Sequence, residues 1–462
     1  MSSSINALSS LTDSIASSGS SSSSSTSGTG LGQGINVQQF VQYAVANQQA
    51  NITALQTQQT TLASQNSALS TISADLSNLD DAVFAVRNPL GALSAQAATS
   101  SNSAVVSATA SGNAASGNHT ITVSSLATTS SYYTGALQSN ATISAGSFQI
   151  AVGSSSPVTV TVDSSNNTLS QLASSINNQD IGVSASVIQD ANGYRLALVS
   201  NNSGAPGDLI VSGNTTSLAF NKAVAGTNAS LTVDGIPISS ASNTVNNVIN
   251  GVTLNLGAPS PNTPVTVNVS PDTSQTSSAI NDLVSAWNTV ITDINKQFNV
   301  AADGSGGGAL ETDNSLRDVQ SMLLNAISYS VPGNSGMVNL ASIGVNMNDD
   351  GTLTVDNNAL SSALSSNFSA VQNLLQNTST GFAQNFGNVL QTINMPGTGI
   401  LAIDSQSNTN TSQGLAQQIE DLQAALATQE ASLTKIYSQV NATLQELPLL
   451  QSQLSQQLSS IG

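Results

Sequence analysis

Residues 414–461 read GLAQQIEDLQAALATQEASLTKIYSQVNATLQELPLLQSQLSQQLSSI, and the spacing of their apolar side chains decides the fold. These side chains recur alternately after three and four residues, which is the heptad spacing of a helix that packs along a partner helix. Polar residues interrupt the pattern at Gln429, Thr443 and Gln457. The predicted seam consists of Leu415, Ile419, Leu422, Leu426, Leu433, Ile436, Val440, Leu447, Leu450, Leu454 and Ile461.

A second stripe with the same spacing occupies residues 35–86, near the other end of the chain. Each stripe could pack on its own domain, but its narrow width over several heptads favours a partner helix. We therefore expect the terminal helices to pair with each other or with neighbours in an assembly. The N-terminal seam consists of Leu55, Leu62, Leu69, Ile72, Leu76, Leu79, Val83 and Val86.

Two prolines bear on these helices. The first helix is expected to end at Asn88-Pro89, because the residue before a proline disfavours the helical conformation. Pro448 lies inside the second stripe, where a proline removes a backbone hydrogen bond and kinks or breaks the helix. Pro448 is therefore a hinge candidate that would let Leu449–Ile461 reorient.

Between the stripes the apolar period changes to two, which is typical of half-buried strands. The signals Asp190-Ala191-Asn192-Gly193 and Asp234-Gly235 predict hairpin turns. Leu169, Leu172, Ala173 and Ile176 predict one short helix among the strands, and helical spacing returns after Asp272. The predicted fold class is α+β and multidomain: long N- and C-terminal coiled-coil-like helices pair as a leg, with β-rich head domains inserted between them.

The predicted organisation has six parts. They are a disordered serine-rich export segment (1–34), N-terminal leg helices that pair with 272–462 (35–86), a β-rich head domain (87–130 plus 228–271), an inserted β-rich outer head domain (131–227), a helical domain with a short hairpin (272–412) and a C-terminal coiled-coil leg helix (413–462).

Composition excludes several classes of function. The 462 residues include only six Lys and Arg and no Cys, and the net charge is -18. Six basic residues are too few to form a patch that binds phosphate groups. We therefore expect that the protein binds neither nucleic acid nor an anionic membrane surface. No apolar run is long enough for a transmembrane helix, so no membrane insertion is expected. The first thirty residues have neither the basic residues nor the apolar segment that are typical of a secretory signal peptide. We therefore expect export by another route.

The candidates for chemistry are weak. His119 is the only histidine and lies in an alternating strand pattern, where a structural role is favoured over a catalytic triad. Asn346-x-Asn348-x-Asp350-Gly351 is similar to the start of a calcium loop, but its twelfth position is Asn357 rather than the bidentate Glu. A hairpin is the favoured alternative, with Asp356 as N-cap of the next helix. We predict no catalytic residue, no cofactor and no metal ion.

Several motifs carry a family resemblance in a fixed order. Residues 32–37, GQGINV, followed by Phe40 and Val41, resemble the opening motif of the bacterial flagellar filament-capping (hook-associated protein 2) family. Further similar stretches are 94–126, 230–235 (SLTVDG) with 242–245 and 251–254, 308–310 with 313–320, 343–344 with 350–353, and 418–422. The resemblance covers about residues 35 to 462, and the serine-rich extension before it is longer than the family pattern.

The resemblance implies a non-enzymatic, secreted protein at the distal tip of the bacterial flagellum. In that family, copies of the chain, often five, form a ring whose legs are the terminal helices. The ring promotes folding and insertion of exported flagellin and prevents its loss. The implied partners are other copies of the chain, flagellin, the hook–filament junction proteins, an export chaperone and the flagellar type III export apparatus. Two alternatives remain open: a flagellin-like filament subunit, and a surface adhesin, either alone or in addition to capping.

Overall fold

The computed structural model describes residues 36–299, 307–334 and 336–461. The predicted disorder of 1–34 therefore concerns residues outside this part of the chain. By their internal contacts, the described residues form two units: residues 36–68 with residues 404–461, and residues 69–403. The α-helices are α1 (Val37–Arg87), α2 (Leu169–Asn177), α3 (Thr273–Phe298), α4 (Asn314–Ile327), α5 (Asn357–Ser366), α6 (Phe368–Gln376), α7 (Phe382–Asn394) and α8 (Ile400–Ile461).

The strands of the described chain all lie within the 69–403 unit, and every pairing between them is antiparallel. The strands are β1 (Gln96–Ser100), β2 (Val106–Ala110), β3 (Gly117–Ser125), β4 (Thr129–Thr134), β5 (Gly146–Val152), β6 (Val158–Val162), β7 (Val183–Asp190), β8 (Gly193–Ser203), β9 (Leu209–Ser212), β10 (Phe220–Val224), β11 (Ala229–Val233), β12 (Ile236–Ser240), β13 (Thr244–Asn246), β14 (Val252–Leu256), β15 (Ser260–Pro271), β16 (Val345–Met347) and β17 (Leu353–Val355).

The first β-rich region contains two sheets around one core. A five-stranded sheet has the order β1-β15-β3-β11-β12, and a three-stranded sheet has the order β13-β14-β2. Their inward side chains, among them Ile121, Leu231, Leu254 and Val267, form one buried cluster. The period-two spacing of the sequence is thus the alternation of core-facing and solvent-facing side chains.

A second β-rich region is inserted between β3 and β11. It has the sheets β10-β4-β8-β7 and β6-β5-β9, and α2 packs into their shared core. The chain enters and leaves this region side by side: the Thr128 amide donates to the Thr227 carbonyl at 2.9 Å, and the Thr227 amide donates to Thr128 Oγ1 at 3.0 Å. The chain thus crosses between the two regions at one pair of neighbouring backbones, and Ser203 Oγ of the inserted region also donates to the Ala241 carbonyl of the first at 2.7 Å.

Local signals explain most of the element boundaries. Helix α1 ends at Arg87, before Asn88-Pro89 as predicted, and Gln376 Nε2 donates to the freed carbonyls of Val86 and Asn88 at 3.0 and 2.8 Å. The Asp234-Gly235 hairpin is confirmed, with both residues at positive φ (50° and 82°) as a type I′ turn requires. Side-chain N-caps begin α2, α3, α4 and α5 at Thr168, Asp272, Asp313 and Asp356.

The sequence-based prediction differs from the structure in where the last helix begins. Helix α8 begins at Ile400, well before Gly414. Within the helical region after Asp272, Asn367 ends α5 and caps α6. The predicted α+β class, with long terminal helices and β-rich regions between them, is confirmed.

Candidate assembly site

The unit formed by residues 36–68 and 404–461 is a helix pair. The Phe40 and Tyr437 rings lie 5.8 Å apart, and Asn66 Nδ2 donates to Thr409 Oγ1 at 3.2 Å. Between them Gln59 Nε2 approaches the Ser412 carbonyl at 3.4 Å. Residue numbers rise along α1 as they fall along α8, so the two helices are antiparallel.

The seam of this pair is part apolar and part polar. Val45, Ile52, Ile419 and Leu426 form a buried cluster, against which Leu55 and Leu433 pack. On α1 eight of the buried or half-buried side chains follow alternating steps of four and three. They are Val41, Val45, Gln48, Ile52, Leu55, Gln59, Leu62 and Asn66.

The predicted α8 seam residues fall into two groups. Leu415, Ile419 and Leu426 are buried and Leu433 is half-buried, whereas the others with described side chains are exposed in the single chain. From Tyr437 onward, the half-buried positions are Tyr437, Asn441, Leu444 and Pro448. The exposed group is Leu422, Ile436, Val440, Leu447, Leu450 and Leu454. The side chain of Ile461 lies outside the described part of the chain, and an assembly role for the whole set stays a prediction.

Pro448 does not interrupt the helix, since α8 runs continuously from Ile400 to Ile461. A proline in this position still lacks the amide that would donate to the carbonyl four residues earlier. The backbone is therefore weaker there than at its neighbours, and a hinge at Pro448 stays a prediction.

Two buried acceptors weaken the helix seam. Gln48 Oε1 and Asn66 Oδ1 are buried and have no hydrogen-bond partner within 36–299, 307–334 and 336–461. Each such acceptor costs about 1–3 kcal/mol relative to a satisfied one. Heptad spacing from Ile52 reaches both positions, but neither belongs to the apolar stripe of the sequence because both side chains are polar. The pair is thus less stable than a leucine seam of the same length.

Replacing Gln48 with leucine is expected to stabilise the helix pair by about 1–2 kcal/mol, since the substitution removes a buried unpaired acceptor and adds apolar contact. The measurement is amide hydrogen exchange of residues 42–60, which should slow. Gln49→Leu is the matched control, because Gln49 is exposed on the same turn. Equal slowing in both variants would show that helix propensity, and not the seam, is responsible.

The remainder of α1 lies in the 69–403 unit. The predicted positions Leu69, Ile72, Leu76, Leu79 and Val83 are all buried, with at most 1% of each side chain exposed. Polar contacts also join this segment to α7, because Asn394 Nδ2 donates to the Ser73 carbonyl at 2.9 Å and to Ser77 Oγ at 3.1 Å. The C-terminal half of α1 is thus held in the 69–403 unit by its buried apolar face and by the hydrogen bonds of the Asn394 side chain.

A carboxyl pair lies on the polar side of the same segment. Burial, and then the neighbouring Asp293 carboxyl, raise the pKa of Asp75, whereas the Lys296 ammonium lowers it. Lys296 Nζ is 2.5 Å from Asp293 Oδ1, so it neutralises Asp293 more directly. The ionised form of Asp75 is therefore disfavoured in the folded unit.

Replacing Asp75 with asparagine is expected to stabilise the 69–403 unit at pH 7.5, and the gain should shrink as the pH falls toward 4. A raised folded-state pKa contributes stability that is present at low pH and is lost as the pH rises through that pKa. Urea unfolding followed by fluorescence of Trp287, the only tryptophan, measures the difference. Asp282→Asn, an exposed position on α3, is the control; a gain for Asp75→Asn that did not vary with pH would contradict the assignment.

His119 and the loop that ends in Asp350-Gly351, which is similar to the start of a calcium site, each make contacts within a hairpin. His119 Nδ1 lies 2.8 Å from Asp234 Oδ2 at the hairpin turn, and this contact, with the Thr120 amide, lowers the pKa of Asp234. Asp350 Oδ1 accepts from the Thr352 amide and hydroxyl at 3.0 and 2.6 Å, inside the β16–β17 hairpin. The predicted hairpin at Asp350-Gly351 is thus confirmed, and the side chain of Asp350 stabilises its turn.

The described ranges contain no cluster of three or more His, Cys, Asp or Glu side chains that would hold a metal ion. Among the same residues, none of the helices is both long and apolar enough to cross a membrane.

Comparison with known proteins gives a consistent result. The models of the flagellar hook-associated protein 2 N-terminus and C-terminus match residues 33–130 and 226–448. B-type flagellar hook-associated protein 2 of Pseudomonas aeruginosa is 32% identical, over 84% of this chain and 89% of the relative. Flagellar hook-associated protein 2 of Escherichia coli K12 is 30% identical, over 93% and 97%. The crystal structure of the flagellar cap protein FliD D1-D2-D3 domains from E. coli has a TM-score of 0.55 at 31% identity, covering 74% of this chain and 99% of that one.

The paired terminal helices and the inserted β-rich regions define a structural protein of the bacterial flagellum, the class to which these relatives belong by name. The chain belongs to the flagellar hook-associated protein 2 family. The helix pair is accordingly its candidate assembly site.

Proposed function

We propose that the protein is a flagellar filament cap, a homo-oligomeric ring at the distal filament tip. The ring promotes the folding and insertion of exported flagellin and prevents its loss. Family membership supports the capping function, and the observation that carries the mechanism is the antiparallel helix pair with buried acceptors at Gln48 and Asn66. A cap must hold the filament tip and yet release it as each subunit arrives, which a weak seam permits.

The proposed partners follow from this position. They are further copies of the chain, flagellin, the hook–filament junction proteins, an export chaperone and the flagellar type III export apparatus. Secretion through that apparatus would deliver the chain to the tip. The exposed apolar residues of α8 support contacts with other copies, because exposed stripes of this kind mark protein interfaces.

Removal of the protein from the cell tests the proposal. Without a cap, we expect flagellin to appear as monomer in the medium, and the filaments to be short or absent. Re-expression of the wild-type chain should restore filaments, and re-expression of His119→Ala should restore them equally, since capping requires no catalytic histidine. Normal filament length in the deletion strain would refute the proposal.

The filament-subunit alternative makes a different prediction. A flagellin-like chain would grow into long filaments when purified, whereas a cap should give closed rings in electron micrographs. The matches to hook-associated protein 2, at both ends of the chain, favour the cap.

Adhesion is a second candidate function, and it is compatible with capping. The inserted β-rich region has a cleft of about 420 Å³ whose lining is uncharged and combines polar side chains with the apolar Leu169 and Val187 and the ring of Tyr194. Such a lining suits a neutral sugar better than an anion. Retention of the full chain on mucin-type glycans, reduced by Tyr194→Ala, would support adhesion; no retention would exclude it for those glycans.

A further inference from the structure

Asparagine side chains cover the open edges of several sheets. Strand β6 ends the sheet β6-β5-β9, strand β7 ends the sheet β10-β4-β8-β7, and β17 is one edge of the β16–β17 pair. On β7, Asn177 Nδ2 donates to the Ala185 carbonyl at 2.8 Å, and Asn177 Oδ1 accepts from the Ala185 amide at 2.7 Å. Asn288 of α3 makes the same two bonds with Leu353 of β17, at 2.8 and 2.6 Å. Each carboxamide thus takes the place of a peptide group of a neighbouring strand.

The edge of β6 is covered in a related way by Asn166. Its Nδ2 donates to the Thr161 carbonyl at 2.8 Å, and its Oδ1 accepts from the Asp163 amide at 2.8 Å. One residue of a parallel neighbouring strand would bond in the same manner on either side of Val162. Because the backbone groups of successive residues alternate between the two sides of a strand, Thr159 also directs its amide and carbonyl outward.

We propose that Asn166 and Asn177 guard the inserted β-rich region, by stopping a second copy of the chain from adding its own strand to β6 or β7. A free sheet edge is a template for pairing with another chain, and charged side chains, above all lysine, commonly block it. This chain has only six Lys and Arg, of which Lys222 lies on the edge strand β10. A carboxamide closes an edge without using a charge.

Helix α2 places both guards. Asn166 lies shortly before α2, and Asn177 is the last residue of this helix. On β7 the outward backbone groups belong to alternate residues, which are Ala185 and its neighbours Val187 and Gln189. An added strand would need several of these groups in a row, and Asn177 already takes those of Ala185. One short helix therefore closes one edge of each sheet.

The sequence of β6 makes a second copy the fitting occupant of its edge. Residues 158–162 read VTVTV, which is the same in both directions and carries no charge. Antiparallel pairing of two copies about Val160 would place valine opposite valine and threonine opposite threonine, and matched β-branched pairs stabilise a sheet. This pairing would bond Thr159 of one copy to Thr161 of the other. The Thr161 carbonyl is the group that Asn166 occupies.

Asn166→Ala in the full-length protein tests the inference. Hydrogen exchange of the Thr159 and Thr161 amides should slow about tenfold when the protein concentration rises about a hundredfold, because a second copy then covers β6. In the wild type, exchange of these two amides should not depend on concentration. The matched control is Asn167→Ala, which removes the neighbouring carboxamide of the same loop and should behave as the wild type does.

A second substitution locates the new contact. Thr159→Lys in the Asn166→Ala background puts a charge on the opened edge, so exchange should again be independent of concentration. If Asn166→Ala does not fold, Asn177→Ala provides the corresponding test on β7. Its readout is exchange of the Val187 amide, and Asn178→Ala is its control.

Three outcomes would overturn the inference. Exchange in Asn166→Ala that did not depend on concentration would show that the opened edge of β6 does not pair. Slowing that persisted after Thr159→Lys would place the contact on another surface. Equal slowing in Asn167→Ala would show that the loop, and not the carboxamide of Asn166, is responsible. Filament assembly in cells is a separate readout, and its failure would concern the capping function alone.

Discussion

Replacing Trp287 with alanine is expected to lower the free energy of unfolding of the 69–403 unit by about 3–5 kcal/mol, the usual cost of deleting a large buried aromatic side chain. Trp287 is fully buried and its ring lies 5.8 Å from that of Phe386. Its indole Nε1 also donates to the Gly351 carbonyl at 2.9 Å, which holds the β16–β17 turn against α3. Alanine would leave a cavity and an unpaired carbonyl together. The measurement is urea unfolding followed by circular dichroism.

Two control variants separate packing from hydrogen bonding at Trp287. Trp287→Phe keeps most of the ring contact and loses the donor, so it should cost about 1–3 kcal/mol. Leu90→Ala in the same unit should have almost no effect, because Leu90 is 90% exposed. If Trp287→Phe were as unstable as Trp287→Ala, the hydrogen bond to Gly351 and not the packing would dominate.

The second large effect is expected for Ile52→Ala in the helix pair. Ile52 is 1% exposed and belongs to the cluster with Val45, Ile419 and Leu426. Truncation of a buried isoleucine costs about 2–5 kcal/mol, and a seam that already contains unpaired acceptors has little stability to lose. Amides of residues 44–60 and 415–433 should therefore exchange much faster, while those of residues 69–86 are unchanged.

The control for Ile52→Ala is Tyr43→Ala, since Tyr43 lies on the same helix and is 61% exposed. In cells, Ile52→Ala should reduce filament assembly more than Tyr43→Ala does. If the two variants exchanged alike, the Val45–Ile52–Ile419–Leu426 cluster would not be what holds the pair together.

Sequence patterns predicted the elements whose local signals are strong. Asn88-Pro89 predicted the end of α1, and Asp234-Gly235 predicted a hairpin whose two positive φ angles only a few residue types adopt readily. In each case the deciding physics is confined to a few neighbouring residues. Predictions of this kind need no knowledge of the tertiary structure.

The start of α8 was not predictable from the same signals. Residues 404–414 are Asp-Ser-Gln-Ser-Asn-Thr-Asn-Thr-Ser-Gln-Gly, a run without apolar period and with low helix propensity. They are helical nevertheless, with Ser412 and Thr409 contacting Gln59 and Asn66 across the pair. Hydrogen bonds to a helix that is distant in sequence override the low helix propensity of this segment. An apolar period in the sequence cannot reveal such polar contacts.

The buried side of α8 also departs from its apolar stripe beyond Leu433. The sequence continues the stripe through Ile436 and Val440, whereas Tyr437 faces α1 and contacts Phe40. A straight α-helix drifts relative to a strict seven-residue repeat, so a long stripe rotates away from a fixed partner. The sequence shows which face is apolar, but only the position of α1 shows which part of it is covered.

The single crossing point at Thr128 and Thr227 has a consequence for evolution. Because the inserted β-rich region has its own core and the chain enters and leaves it at one pair of adjacent backbones, its replacement alters little beyond that pair and the contact between Ser203 and Ala241. Insertions at such neighbouring termini are well tolerated. The inserted region can therefore be exchanged, enlarged or lost with little effect on the core of the β-rich region that carries it.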